Sequence, residues 1–200
     1  LEPDFLVVIA PYYLAARQTD IIHHFRRILE IAPAPVIVYN IPGTTHNPIT
    51  LETVLELASD PRVVGTKDSS MDFVPFSRGV INHQEDSFAW IQGNDYLHGP
   101  SLMIGAQGIV TGLGNVRVDY HVEMYRAARS GDVKRIMEMQ RRIDALYGII
   151  RVCGGRTIAA IKAAVSLTGR CGSRMRMASM TASHEDLERV DAVLRDLKPV

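Results

Sequence analysis

Cysteine is nearly absent from this sequence. Cys153 and Cys171 are two residues in 200, and neither sits in a Cys-x-x-Cys pair. That excludes a disulfide-stapled scaffold and predicts two reduced thiols in a cytoplasmic protein. Excess charge is absent too, because 22 basic residues balance 22 acidic ones. The clustered positive charge of a nucleic-acid footprint is therefore missing. No apolar run approaches the roughly 20 residues that a transmembrane helix needs, so no membrane partner is expected. Seven histidines are scattered, with no His-x-x-x-His and no compact set of carboxylates beside them, so no metal is expected. A secretory pattern is missing as well. The sequence opens on Leu1, enters an apolar run by Phe5 and carries no basic leader or cleavage site; it reads as part of something longer.

What the sequence does hold is a 46% apolar content arranged with a clear rhythm. Five short runs rich in β-branched residues read as strands: Phe5–Ala10, Pro35–Tyr39, Val63–Lys67, Phe88–Gln92 and Gly108–Gly112. Each is continuously apolar, the pattern of a parallel strand buried on both faces. Helical patterns lie between them. Thr19 is a candidate cap for Asp20–Ile31, whose Ile21, Ile22, Phe25, Ile28 and Leu29 form one stripe, and Thr50 for Leu51–Ala58. A weaker helix over Asp72–Asn82 is expected to start late because of Pro75, and another runs through Tyr96–Ile104 to Gly105. Strand starts recur at 5, 35, 63, 88 and 108. That alternation predicts an α/β fold of right-handed βαβ units with a parallel sheet. Beyond Asn115 the strands stop. Asp119–Arg129, Asp132–Ile150, Thr157–Leu167 and Glu185–Leu197 read as helices, the last capped by Ser183. The division predicted is an α/β region over 1–118 and a helical region over 119–200.

Function in a parallel α/β sheet gathers at the carboxyl ends of the strands. Those ends carry Pro11-Tyr12-Tyr13, then Tyr39-Asn40-Ile41-Pro42-Gly43-Thr44-Thr45, then Lys67-Asp68-Ser69-Ser70, then Gln92-Gly93-Asn94-Asp95, and finally Thr111-Gly112-Leu113-Gly114-Asn115. Lys67 closes a run expected to be buried, where its amine would serve as a nucleophile toward carbonyls. A lysine extended to solvent satisfies the same pattern. Tyr39 is either a proton relay beside it or a packed ring with a hydrogen-bonded hydroxyl. Of Tyr12 and Tyr13, only one can face a shared site. His23 and His24 fall on a helix and read as surface or packing residues. Gly112-Leu113-Gly114 is too short for a phosphate-binding fingerprint.

Taken together these motifs resemble the dihydrodipicolinate synthase and N-acetylneuraminate lyase family. The resemblance rests on Pro-Tyr-Tyr at 11, YNIPG from Tyr39, GTKDSS around Lys67, GND, GIVTGLGNV, the Tyr39-to-Lys67 separation of 28 and Ala160-Ile161-Lys162-Ala163-Ala164. It implies a pyruvate-dependent class I aldolase or lyase on a (β/α)8 TIM barrel with a C-terminal helical extension, assembled as a homotetramer. It further implies that Lys67 forms the Schiff base, that Tyr39 assists proton transfer, and that Tyr13 reaches across a dimer interface. Val110 would line the pyruvate pocket through its carbonyl, with Thr111 beside it. No cofactor is implied beyond the covalent imine on Lys67, and the partners are a 2-oxo acid and an aldehyde.

Two departures bear on the substrate. Thr44 stands where the synthases carry an arginine that holds a carboxylate, and threonine cannot make that bidentate contact. KDSS after the third strand, with GND and GLGN later, resembles the sugar-acid branch of the family, which implies cleavage of a 2-keto-3-deoxy sugar acid; hydroxyl-rich substrates suit Thr44, Ser69, Asn94 and Asp95. A dehydratase of such acids, dihydrodipicolinate synthesis and a non-catalytic 2-oxo-acid-binding barrel are the alternatives. The Gly-Thr-Thr-Gly-Glu-like loop of the family's early units is missing. Five βα units against the barrel's eight predict strands four to eight plus the helical tail.

Overall fold

The structure, a computed structural model, describes residues 2–197. The chain divides into two compact units, Leu1–Val110 and Thr111–Val200. In the first, strands and helices alternate as β1 (Leu6–Ile9), α1 (Gln18–Ile31), β2 (Val36–Asn40), α2 (Pro42–Thr45), α3 (Leu51–Ala58), β3 (Val63–Asp68), α4 (Phe73–Asn82), β4 (Ala89–Gln92), α5 (His98–Met103) and β5 (Gly108–Ile109). The strands form one sheet in the order β1-β2-β3-β4-β5, with every neighbouring pair parallel. Sequential parallel order is what successive right-handed βαβ units produce.

Local chemistry sets the helix starts. The N-cap of α1 is Arg17 rather than Thr19, and the Asp20 carboxylate at the third helical position accepts the Arg17 N–H at 3.0 Å. Thr50 caps α3 as its sequence position predicts, accepting the Thr53 N–H. Pro75 does not delay α4, which begins at Phe73. It occupies the first turn, where a backbone N–H has no intrahelical partner to lose. The strand expected over Gly108–Gly112 is shorter than its apolar run. Pairing ends with the Val110 N–H on the Gln92 carbonyl, and a turn then begins in which Thr111 Oγ1 accepts the Leu113 N–H.

One face of the sheet carries the core. Val36, Val38, Val63 and Trp90 pack with Ile21, Phe25 and Leu29 of α1, Val54 and Leu57 of α3, and Phe76 and Val80 of α4. The other face is not buried as the continuous apolar runs predict. Ile9, Ile37 and Ile91 are only half-buried and Val7 is 55% exposed. Trp90 anchors the covered face. Its indole N–H donates to the His83 carbonyl, and α4 approaches its ring so closely that a Cβ on Gly79 would lie 2.3 Å from the ring edge.

The second unit is helical: α6 (Val118–Ser130), α7 (Val133–Val152), α8 (Thr157–Leu167) and α9 (His184–Arg195). On α7, Ile136, Met139, Ile143, Leu146 and Ile150 are buried at alternating steps of three and four residues, one stripe of a helix. Ala159, Ala160, Ala163 and Ala164 give α8 a small-residue face beside α9. Ser183 caps α9 reciprocally with Asp186. The buried Asp186 carboxylate also accepts from Arg156 at 2.6 Å and Arg189 at 2.9 Å. Among the described residues no helix is long and apolar enough to cross a membrane.

Two stability predictions follow from this packing. Gly79→Ala should lose about 1–2 kcal/mol in urea denaturation, the overpacking of Trp90 outweighing alanine's better helix propensity; unchanged stability would refute the close approach. The Arg156 guanidinium beside Asp186 holds its carboxyl far below the ordinary value. Such a depressed group stabilises the fold above its unfolded value near 4, and that stability disappears as the pH falls below it. Thermal melts from pH 6 to pH 2 should therefore drop more steeply for the wild type than for Asp186→Asn.

Candidate active site

The β2–β3 pairing builds the site. At Val36 the partner is Val63, but at Ile37 it is Gly65, so Val64 is an extra residue on β3. Beyond that bulge Tyr39 pairs with Lys67 and Asn40 with Asp68. Alternation then sends Tyr39 and Lys67 to the half-buried face and Asn40 and Asp68 to the helix-covered face. Lys67 Nζ stands over the Tyr39 ring, 3.9 Å from its centroid. The Ser69 hydroxyl donates to Tyr39 Oη at 3.5 Å. Gly93 makes room beside them. A Cβ there would lie 2.1 Å from Ser69 Oγ and 3.1 Å from Lys67 Cε.

On the covered face, the Asn40 amide donates to Asp68 Oδ2 at 2.7 Å while its carbonyl accepts the Ile49 N–H at 3.0 Å. Asp68 Oδ1 accepts from both the backbone and the hydroxyl of Ser70. Burial pushes the Asp68 carboxyl above its ordinary value, against the opposing pull of the Ser70 and Asn40 hydrogen bonds. A cleft of about 440 Å³ opens on this side, lined by Thr66, Asp68, Phe76 and Trp90 among others. Neither Lys67 nor Tyr39 lines it, because both project from the opposite face.

The remaining candidate residues separate into two groups. Gln92 shapes the β4 end: its Oε1 accepts the N–H groups of Gly93 and Asn94, and its amide donates to Ser101. Asn94 caps the turn after it by accepting the Tyr96 N–H, and the Asp95 carboxylate lies 3.9 Å from His98 Nδ1. Val110 extends the ladder by one hydrogen bond and is 47% exposed. Tyr13, Thr44 and Thr111 lie outside the strands that carry the pair. Tyr13 is 88% exposed at φ +79°, on a loop whose Pro11 and Leu14 carbonyls both accept from the Asn47 amide. Thr44 is exposed on α2, and Thr111 opens the second unit. Asn40, Asp68 and Gly93 were not singled out by sequence. One signal was present: Asn40 and Asp68 are 28 residues apart, as Tyr39 and Lys67 are.

Residues 3–197 match the model of the dihydrodipicolinate synthetase family. The chain belongs to that family. It is 32% identical over 192 residues to the 4-hydroxy-tetrahydrodipicolinate synthase of Neisseria gonorrhoeae, a match covering 96% of this chain and 65% of the relative. A DapA-like lyase of Halobacterium salinarum is 32% identical over 194 residues, covering 97% of this chain and 62% of that one. The dihydrodipicolinate synthase structure from Bacteroides thetaiotaomicron superposes with a TM-score of 0.88 at 27% identity, over 97% of this chain and 66% of that one. The chain thus spans about 65% of the length of the N. gonorrhoeae relative. The α/β architecture is that of the family's TIM-barrel members.

In this family member Gly93 tests the geometry directly. Gly93→Ala should displace Ser69 and Lys67, and a crystal structure of the variant would show Lys67 Nζ moved off the Tyr39 ring. An unshifted pair would mean that the close approach at Gly93 does not govern the site.

Proposed function

We propose that this protein is a Schiff-base-forming lyase that joins or separates a 2-oxo acid and an aldehyde. The observation that carries the reading is Lys67 Nζ standing over the Tyr39 ring at the carboxyl ends of adjacent parallel strands. In the cleavage direction the Lys67 amine adds to the substrate's C2 carbonyl and water leaves, giving an iminium. The iminium draws in the electron pair of the breaking C3–C4 bond, leaving an enamine on Lys67 and releasing an aldehyde. Tyr39 accepts the proton of the C4 hydroxyl as that carbonyl forms. Protonation of the enamine at C3 and hydrolysis of the imine then return pyruvate and free Lys67. The protonated imine is its own electron sink, so the mechanism calls for no external cofactor.

Ser69, Asn94, Asp95 and Thr44 are the proposed substrate contacts, with the Val110 carbonyl and Thr111 on the pyruvate side. Their neutral and acidic character favours a 2-keto-3-deoxy sugar acid. A second reading, dihydrodipicolinate synthesis, is favoured by the name of the N. gonorrhoeae relative; threonine at 44 argues against it, because it offers no cation for a second carboxylate. Tyr13 is assigned to a neighbouring copy in a homotetramer, a role that suits a tyrosine 88% exposed. Residues 1–118 correspond in this reading to the last five units of an eight-stranded barrel, and 119–200 to its helical extension. The sequential parallel order of β1 to β5 supports that alignment.

Treating the full-length protein with pyruvate and borohydride should add a reduced pyruvyl group to Lys67, read by peptide mass spectrometry. Tyr39→Phe should keep the adduct while slowing turnover by about 10²- to 10⁴-fold. An unmodified Lys67 would overturn the mechanism. Product analysis on keto-deoxy sugar acids distinguishes pyruvate plus aldehyde from a dehydrated 2-oxo acid.

A further inference from the structure

We infer that Asn40 and Asp68 are positioning residues, a clamp on the covered face of the sheet that holds Lys67 and Tyr39 in reacting register on the other. The inference rests on the imine reading above and assigns no contact with substrate to either residue. Each member directly follows one member of the reacting pair, and the two pairs are consecutive rungs of the β2–β3 ladder. A shift at one rung is therefore passed to the next through a single peptide unit.

The clamp has little freedom of its own. Asn40 is 5% exposed, and both ends of its amide are engaged, by Asp68 and by the Ile49 N–H. That second bond ties the segment from Ile41 to Ile49, which carries Thr44, to the same rung. Asp68 is fixed by the backbone and hydroxyl of Ser70, and its carbonyl accepts the Gly93 N–H at 2.7 Å. Gly93 in turn sets the space beside Lys67 Cε. Asp68 thus reaches Lys67 from both sides, along its own strand and through Gly93.

The donor and acceptor pattern makes the clamp reversible in a specific way. In Asp68→Asn, an amide must face either the Asn40 amide or the Ser70 N–H, and one hydrogen bond is lost. In Asn40→Asp, two carboxylates meet at the distance of a hydrogen bond and repel. The exchange of both, Asn40→Asp with Asp68→Asn, restores every bond. The new carboxylate at 40 accepts from Ile49 N–H and from the amide at 68, whose carbonyl accepts from Ser70.

The test follows the rate of borohydride trapping on Lys67 against pyruvate concentration in the full-length protein, well below each variant's melting temperature. Gly79→Ala, whose added Cβ meets the Trp90 ring and neither Asn40 nor Asp68 among its nearest atoms, serves as a destabilised control. Each single variant should lower the saturating trapping rate by roughly 10- to 100-fold, the cost of misplacing reacting groups by about 1 Å. The half-saturating pyruvate concentration should change little, Gly79→Ala should trap as the wild type does, and the exchange variant should recover most of the rate. Trapping in the wild type with single variants unchanged would overturn the clamp alone. Single variants that fail while the exchange variant fails equally would overturn it as well. No trapping in the wild type would overturn the imine reading and the clamp with it.

Discussion

The register of β2 against β3 is the constraint on which the site depends. The two strands begin with Val36 opposite Val63; continued without interruption, that register would set Asn40 opposite Lys67. Lys67 would then project among the helices, away from Tyr39, because a one-residue slip sends every side chain to the other face. The extra residue at Val64 corrects this. It costs a local break in the ladder, the usual price of a bulge, and re-aims the rest of the strand. Glycine follows at 65 because β4 lies too close for a side chain; a Cβ there would come within 2.6 Å of the Ala89 carbonyl oxygen. Thr66, Lys67 and Asp68 fall into their places only after that correction.

The bulge divides labour between the two faces of the same strands. Val38, Thr66 and Trp90 face the helices and supply packing, so the rungs that bear chemistry are backed by the most tightly held part of the unit. Tyr39, Lys67 and Ile91 share the opposite face at one level. Rigid strands deliver the reacting groups, and the segments after them are pinned by buried side chains rather than by regular structure. Asn47 does this for the loop bearing Tyr13, and Gln92 for the turn at Gly93 and Asn94. Positive φ at Tyr13, His46 and Met71 marks where these segments depart from comfortable backbone geometry. In each case the departure follows a strand or short helix end, where loops must turn sharply.

Much of this was legible in the residues themselves. The β-branched runs located the strands within a few positions, and the Thr50 and Ser183 caps held because capping depends on atoms only three residues apart. The same locality explains the misreadings. Thr19 was the better capping side chain, yet with Asp20 reaching back to Arg17 α1 starts two residues earlier. Pro75 looked like a barrier but lay in the one turn that tolerates it. The four-residue helix α2 was hidden in a motif that reads as a loop, its only sign being Pro42 at the first helical position.

By itself the sequence determined the kind of each major element, the α/β order, and the chemical types present at the strand ends: an amine, a phenol, hydroxyls and amides. Those are local matters of propensity, period and side-chain identity. Only the tertiary structure decided that Lys67 meets Tyr39 and that Asn40 meets Asp68 behind them. These depend on pairing between residues about 30 positions apart and on which of two faces each occupies. A single inserted residue at Val64 reverses that choice, and no local pattern in the strand announces it.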